Sequence, residues 1–229
     1  RTGMEKACAN WAGGGERPAF AYPDLPPLRD RTIYLVDKPK AAQSRFMLGL
    51  PGPSRDNPDY YAIQVMNTVV GQLFLSRLQR VIREEKGYSY GVRSIFSFGR
   101  GPGAFYAYSS IVTAQTDSGL FYFMKELRGA QGEQPFTEDE IRQGKDALVQ
   151  SLPAQFGLVS GVASAISGIY TQGLPENYYQ EFSSKINAVT RDDLVRVAKE
   201  YVDLDKLQIV IVGDRATIEE PLRKTGIAP

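Results

Sequence analysis

Residues 67–92 read NTVVGQLFLSRLQRVIREEKGYSYGV, and this stretch decides the fold. Leu75, Leu78 and Ile82 recur at helical spacing, which predicts a helix over about residues 74–86. Gly87 follows where a helix needs its C-terminal cap, because glycine enters the left-handed conformation without a Cβ clash. The chain then turns directly into residues 88–98, rich in Tyr, Val, Ile and Phe, which read as a strand. A helix joined to a strand by one glycine delivers Arg83 and Tyr90 to the same corner.

Downstream, residues 105–113 form a second β-rich run, and Gly99-Arg100-Gly101-Pro102-Gly103 supplies the turn between the two, so a hairpin is expected. Upstream, Thr32–Asp37 (TIYLVD) and residues 44–50 (SRFMLGL) read as strands, the second ended by Pro51-Gly52-Pro53. Between them and the deciding stretch, Tyr60, Ile63, Met66, Asn67 and Val70 repeat at helical spacing up to Gly71. The second half is mainly helical, over residues 118–127, 160–171 and 175–188, with a helix opened by a capping box of Thr137 and Glu140 and another beginning at Thr190. A closing strand at residues 207–212 (LQIVIV) and a short helix near residues 216–224 complete the chain. This order predicts one α+β domain, residues 31–229, with helices packed on a mostly antiparallel sheet. Residues 1–30, with Gly13-Gly14-Gly15, Pro23, Pro26 and Pro27, read as a linker or arm from a preceding domain.

The 229 residues carry 27 Lys plus Arg against 26 Asp plus Glu, so no whole-chain field favours nucleic acid or a polyanionic surface. Histidine is absent, which excludes both H-x-x-E-H and H-E-x-x-H motifs and removes the usual general base of serine and cysteine hydrolases. The single Cys8 can form neither an internal disulfide nor a cysteine zinc site. No catalytic residue and no metal ligand set is therefore expected in this chain by itself. The chain begins Arg-Thr-Gly and holds no apolar run long enough to span a bilayer, and it reads as a fragment of something longer, with periplasmic and cytoplasmic locations both open.

Two readings stand for Arg83 and Tyr90. An arginine at such a corner can offer its planar fork to a carbonyl or carboxylate, and a tyrosine hydroxyl can donate to an oxyanion or peptide group. Alternatively, Arg83 pairs with Glu84 or Glu85, and Tyr90 sits with Val92 and Phe96 on the core face of its strand. Glu84-Glu85 itself reads as a solvated face with local salt bridges, since adjacent helix positions face apart. The aromatic series Phe96, Phe98, Phe105, Tyr106 and Tyr108 reads as sheet core or as a wall facing a peptide.

The stretch resembles the signature of the zinc-free C-terminal homologous domain of pitrilysin-type (insulinase-type) metallopeptidases, a family that includes the mitochondrial processing peptidase. The resemblance is carried by Asn67, Gly71, Ser76-Arg77-Leu78, Ile82-Arg83-Glu84, Gly87 and Tyr90, and extends through Gln43-Ser44, Pro51-Gly52, Asp59-Tyr60, the helix start at Thr137–Lys145 and Gly213-Asp214. Gln72 departs from it, standing where many relatives carry another glycine.

The resemblance implies a division of labour between two similarly folded domains facing each other across a chamber. One carries H-x-x-E-H and the zinc that activates water; the other, matched here, supplies an arginine and a tyrosine that hold the substrate backbone and support the tetrahedral intermediate. Those positions are Arg83 and Tyr90. The implied partners are a zinc-bearing domain, in the same polypeptide or on a separate subunit, and a peptide substrate. The alternative is a scaffold or core subunit that kept the fold without peptidase activity. A third, a free-standing module binding peptides by strand addition at a sheet edge, needs no partner.

Overall fold

The computed structural model describes residues 2–11, 21–22 and 25–228. Its centre is a five-stranded sheet in the order β1-β5-β2-β4-β3, built from β1 (Thr32–Asp37), β2 (Gln43–Gly52), β3 (Ser89–Ser97), β4 (Gly103–Val112) and β5 (Gln208–Gly213). Only β1 and β5 run parallel; the other neighbours are antiparallel, and β3 and β4 form the expected hairpin. The helices are α1 (Thr2–Cys8), α2 (Tyr60–Asn67), α3 (Thr116–Arg128), α4 (Glu138–Phe156), α5 (Val159–Gln172), α6 (Tyr178–Ala188), α7 (Arg191–Tyr201) and α8 (Arg215–Lys224).

Alternation along the strands sends Phe46, Leu48, Phe105, Ala107, Ile111, Ile209 and Ile211 inward, all nearly inaccessible. Ile63, Phe123 and Leu194, from α2, α3 and α7, belong to the same buried core. On the opposite face, Tyr34, Val36, Met47 and Val112 remain exposed. The aromatic series divides accordingly: Phe96 and Phe105 are core, whereas Tyr106 and Tyr108 stack on the outer face with centroids 6.1 Å apart.

Three expectations change. The helix foreseen over residues 74–86 is broken: after α2 the chain makes a π-helical turn, Thr68–Gln72, becomes extended at Leu73, and regains helical form only near Arg77, leading into the π-helical segment Gln79–Glu85. Leu78 and Ile82 are fully buried, but Leu75 lies in the non-helical turn, where helical spacing no longer applies, and is 64% exposed. Second, β2 does not stop before Pro51 but runs through Gly52, because β5 pairs with it only as far as Gly49 and leaves an open side where proline is tolerated. Third, part of the arm is helical: α1 buries no residue. The Gly13–Gly15 run and Pro23 lie outside the described residues.

Other features hold. Thr137 closes its capping box with Glu140, and the helix expected from Thr190 starts there, with a capping box to Asp193 that the structure adds. Gly87 has φ +65°, and the Gly87 and Tyr88 amides return to the carbonyls of Arg83 and Ile82, the hydrogen bonds that stop the helix and start β3. Gly71 meets a different demand, since a Cβ there would fall 2.1 Å from Ser94 Oγ, so only glycine lets the π-turn press onto β3.

Candidate functional site

The corner after Gly87 is shaped by a β-bulge. Ser89 pairs with Ile111, but the next paired residue, Val92, faces Ser109, so β3 carries one more residue than β4 across this step. The Ser89 and Ser109 hydroxyls meet at 2.6 Å, Ser109 Oγ donates to the Gly91 carbonyl at 2.9 Å, and the Gly91 amide donates to Ser89 Oγ at 3.1 Å. The extra residue resets alternation: Ser89 and Val92 both point inward, and Tyr90, which an unbroken strand would place beside Val92 in the core, is 90% exposed. The core-facing reading of Tyr90 is thereby corrected.

Arg83 comes from the end of the π-helical segment. Its Cζ lies 4.5 Å from the Phe74 ring centroid and 5.3 Å from that of Tyr90, within cation–π range of both. Its Nε also sits 3.3 Å from Glu84 Oε1, so the expected local ion pair exists alongside the approach to Tyr90; Glu85 pairs with Arg80 at 3.8 Å. Among the described residues the two terminal nitrogens of Arg83 have no hydrogen-bond partner. They border an open cavity of about 350 Å³ lined by Phe74, Gln79, Arg83, Tyr90, Arg93 and Tyr108.

A second layer holds this corner, and its roles were not legible in the sequence. Arg77, 2% exposed, forms a two-pronged pair with Glu140 (2.8 and 2.7 Å), donates to the Gln134 and Pro135 carbonyls, and lies over the Phe136 ring. Burial alone would raise the Glu140 carboxyl, but hydrogen bonds from Arg77 and Thr137 hold it below its ordinary value. The capping acid of α4 thus also anchors the chain entering the π-helical segment, a pairing 63 residues apart in sequence. Asn67 grips Ser94 by accepting from its hydroxyl (2.6 Å) and donating to its carbonyl (3.2 Å). Gln79 accepts from the Val92 amide at 2.7 Å, so β3 is occupied along its outer edge at Val92 and Ser94. That argues against strand addition at this edge.

A larger cleft, about 580 Å³, lies at the other end of the β3–β4 hairpin, where the Arg55 amide bonds to Gly99. Arg55 stacks on Tyr60 with Cζ 3.4 Å from the ring centroid, and the Arg196 fork holds Asp59 below the usual carboxylate range at 2.6 and 2.8 Å.

The family model described as the peptidase M16 inactive domain matches residues 4–148. The chain belongs to this family. The zinc-free resemblance read from Arg83, Tyr90 and their neighbours agrees with this M16 inactive domain assignment. The M16 domain is 27% identical over 163 residues to an uncharacterized zinc protease of Streptomyces coelicolor and 26% identical over 162 residues to one of Mycobacterium leprae, covering 71% of this chain in each case. It spans only 35% of the length of either relative. Among solved structures it resembles the peptidase M16 inactive domain from Pseudomonas fluorescens, with TM-score 0.78 and 24% identity over 86% of this chain and 47% of that one. A protease from Helicobacter pylori gives TM-score 0.75 at 17% identity, over 92% of this chain and 51% of that one. A chain of complex III2 from Candida albicans gives 0.69 at 16% identity, over 86% and 49%. These structural likenesses show the α+β fold.

Zinc, which the names of the relatives imply, does not fit this M16 domain's own residues. The sequence has no histidine, its single cysteine lies on exposed α1, and no group of three or more potential ligands occurs among the described residues.

Proposed function

We propose that this domain is the substrate-holding half of a zinc metallopeptidase, with Arg83 and Tyr90 gripping the backbone of a peptide beside the bond that a zinc-bearing H-x-x-E-H half hydrolyses. The observation that carries this reading is Tyr90, turned out of the core by the bulge and standing beside Arg83 on the lining of an open cavity. Arg83 has terminal nitrogens to present as a fork, and Tyr90 a hydroxyl; both can donate to a carbonyl oxygen and more strongly to the oxyanion it becomes. The metal chemistry resides in the other half, in the same polypeptide or on a partner subunit. The apolar surface of α5, including Val159, Ile166 and Tyr170, is of the kind a neighbouring domain covers.

The test is reconstitution. The isolated chain should bind no stoichiometric zinc by metal analysis and cleave no peptide, whereas the same chain joined to its zinc-bearing half should cleave peptides that neither part cleaves alone. A zinc-bearing half that is fully active without this chain would contradict the proposal and favour a scaffold.

A further inference from the structure

We infer that the site beside Arg83 and Tyr90 selects substrates carrying an aspartate or glutamate side chain, received by Arg93 with Arg45 behind it. This deepens the proposed function and rests on it. The sequences of β2, β3 and β4 contain no Asp or Glu, and their two charged residues, Arg45 and Arg93, are exposed and fall on the outer face. Both neighbour Tyr108. Arg93 is the register partner of Tyr108, and Arg45 Cζ lies 5.2 Å from the Tyr108 centroid.

Arg93 and Tyr108 line the same cavity as Arg83 and Tyr90, so a peptide gripped at the latter pair passes over the former. Arg93 Nη1 donates to the Gln72 carbonyl at 3.1 Å and Arg45 Nη1 to Ser110 Oγ at 3.1 Å. These neutral acceptors orient the two guanidinium groups without cancelling their charge, and among the described residues neither has a carboxylate partner. Arg77, Arg80 and Arg83, by contrast, each pair with a glutamate. A net charge of +1 for the whole chain makes this a local field, not a reflection of a basic protein. An extended peptide with an acidic side chain complements it, since each guanidinium keeps further N–H donors in a fork that matches a carboxylate.

The competing explanation is that Arg45 and Arg93 merely keep an open sheet face soluble. Fluorescence anisotropy separates the two, using labelled peptides that differ at one position (Glu, Gln or Lys), bound to the full chain as wild type, Arg93→Gln and Arg93→Glu. Wild type should bind the Glu peptide about two- to fivefold more tightly than the Gln peptide, the range expected of an exposed pair. The preference should shrink between about 50 and about 500 mM salt. Arg93→Gln should erase much of it, and Arg93→Glu should turn it toward Lys. Equal binding of Glu and Gln peptides by wild type, or an order unchanged in Arg93→Glu, overturns the inference while leaving the proposed function standing. Absence of binding by any of the peptides overturns both.

Discussion

Tyr90 owes its position to one extra residue. Period-two alternation from Val92 and Phe96 places it inside; the bulge places it outside, and the only sequence trace of that bulge is Gly91 within an otherwise β-rich run. The place of Arg83 at the corner was legible because Gly87 ends the helical segment four residues later. Glu126 of α3 was not. It is 3% exposed, its Oε2 has no partner among the described residues, and burial raises its carboxyl pKa against the opposing pull of Arg77, Arg80 and Lys125. A raised folded-state pKa means that the fold favours the protonated form. Its contribution is full at low pH and is lost as pH climbs from the ordinary carboxylate value through the raised one. Glu126→Gln imitates the protonated form and should stabilise the chain at pH 7 by about 1–3 kcal/mol, the cost of one unsatisfied buried polar group. The gain should fade below about pH 4, where the wild-type carboxyl is itself neutral. Thermal melts of both proteins from pH 4 to 8 check this, and a destabilised variant at pH 7 would show that the Glu126 charge is used.

At the scale of elements, what the sequence conveyed was local periodicity, and what it withheld was contact across distance. The strand TIYLVD, the capping box at Thr137 and the helix start at Thr190 were readable because their cause lies within a few residues. The π-helical segments Thr68–Gln72 and Gln79–Glu85 were not; they go with contacts made far along the chain, Gly71 against Ser94 and Arg77 with Glu140. This difference has a measurable form in two leucines three positions apart. Leu78→Ala should cost about 2–5 kcal/mol, as expected for a fully buried leucine in a close-packed core. Leu75→Ala, at an exposed turn position, should change stability by no more than about 0.5 kcal/mol. Denaturant titration of both variants decides it; similar losses at the two sites would mean that a continuous helix forms after all.

Across the described residues, one face of the sheet is packed by helices while Tyr34, Val36, Met47 and Val112 lie exposed on the other, and the proposed site sits at the corner of that second face. The balanced charge and the missing histidines narrowed the function before any fold was known, and the resemblance carried by residues 67–90 named the family that the M16 inactive domain match shows. The central claim is that Arg83 and Tyr90 serve a substrate and not the fold. It is tested most directly by measuring turnover and melting temperature together for Arg83→Ala and Tyr90→Phe, each in the chain joined to its zinc-bearing half. Removing one donor to a developing oxyanion typically costs about 2.7–4 kcal/mol, so turnover should fall roughly a hundred- to a thousandfold while the melting temperature barely moves. Near-wild-type turnover in well-folded variants, or a lowered melting temperature with normal activity in the folded fraction, would contradict the account.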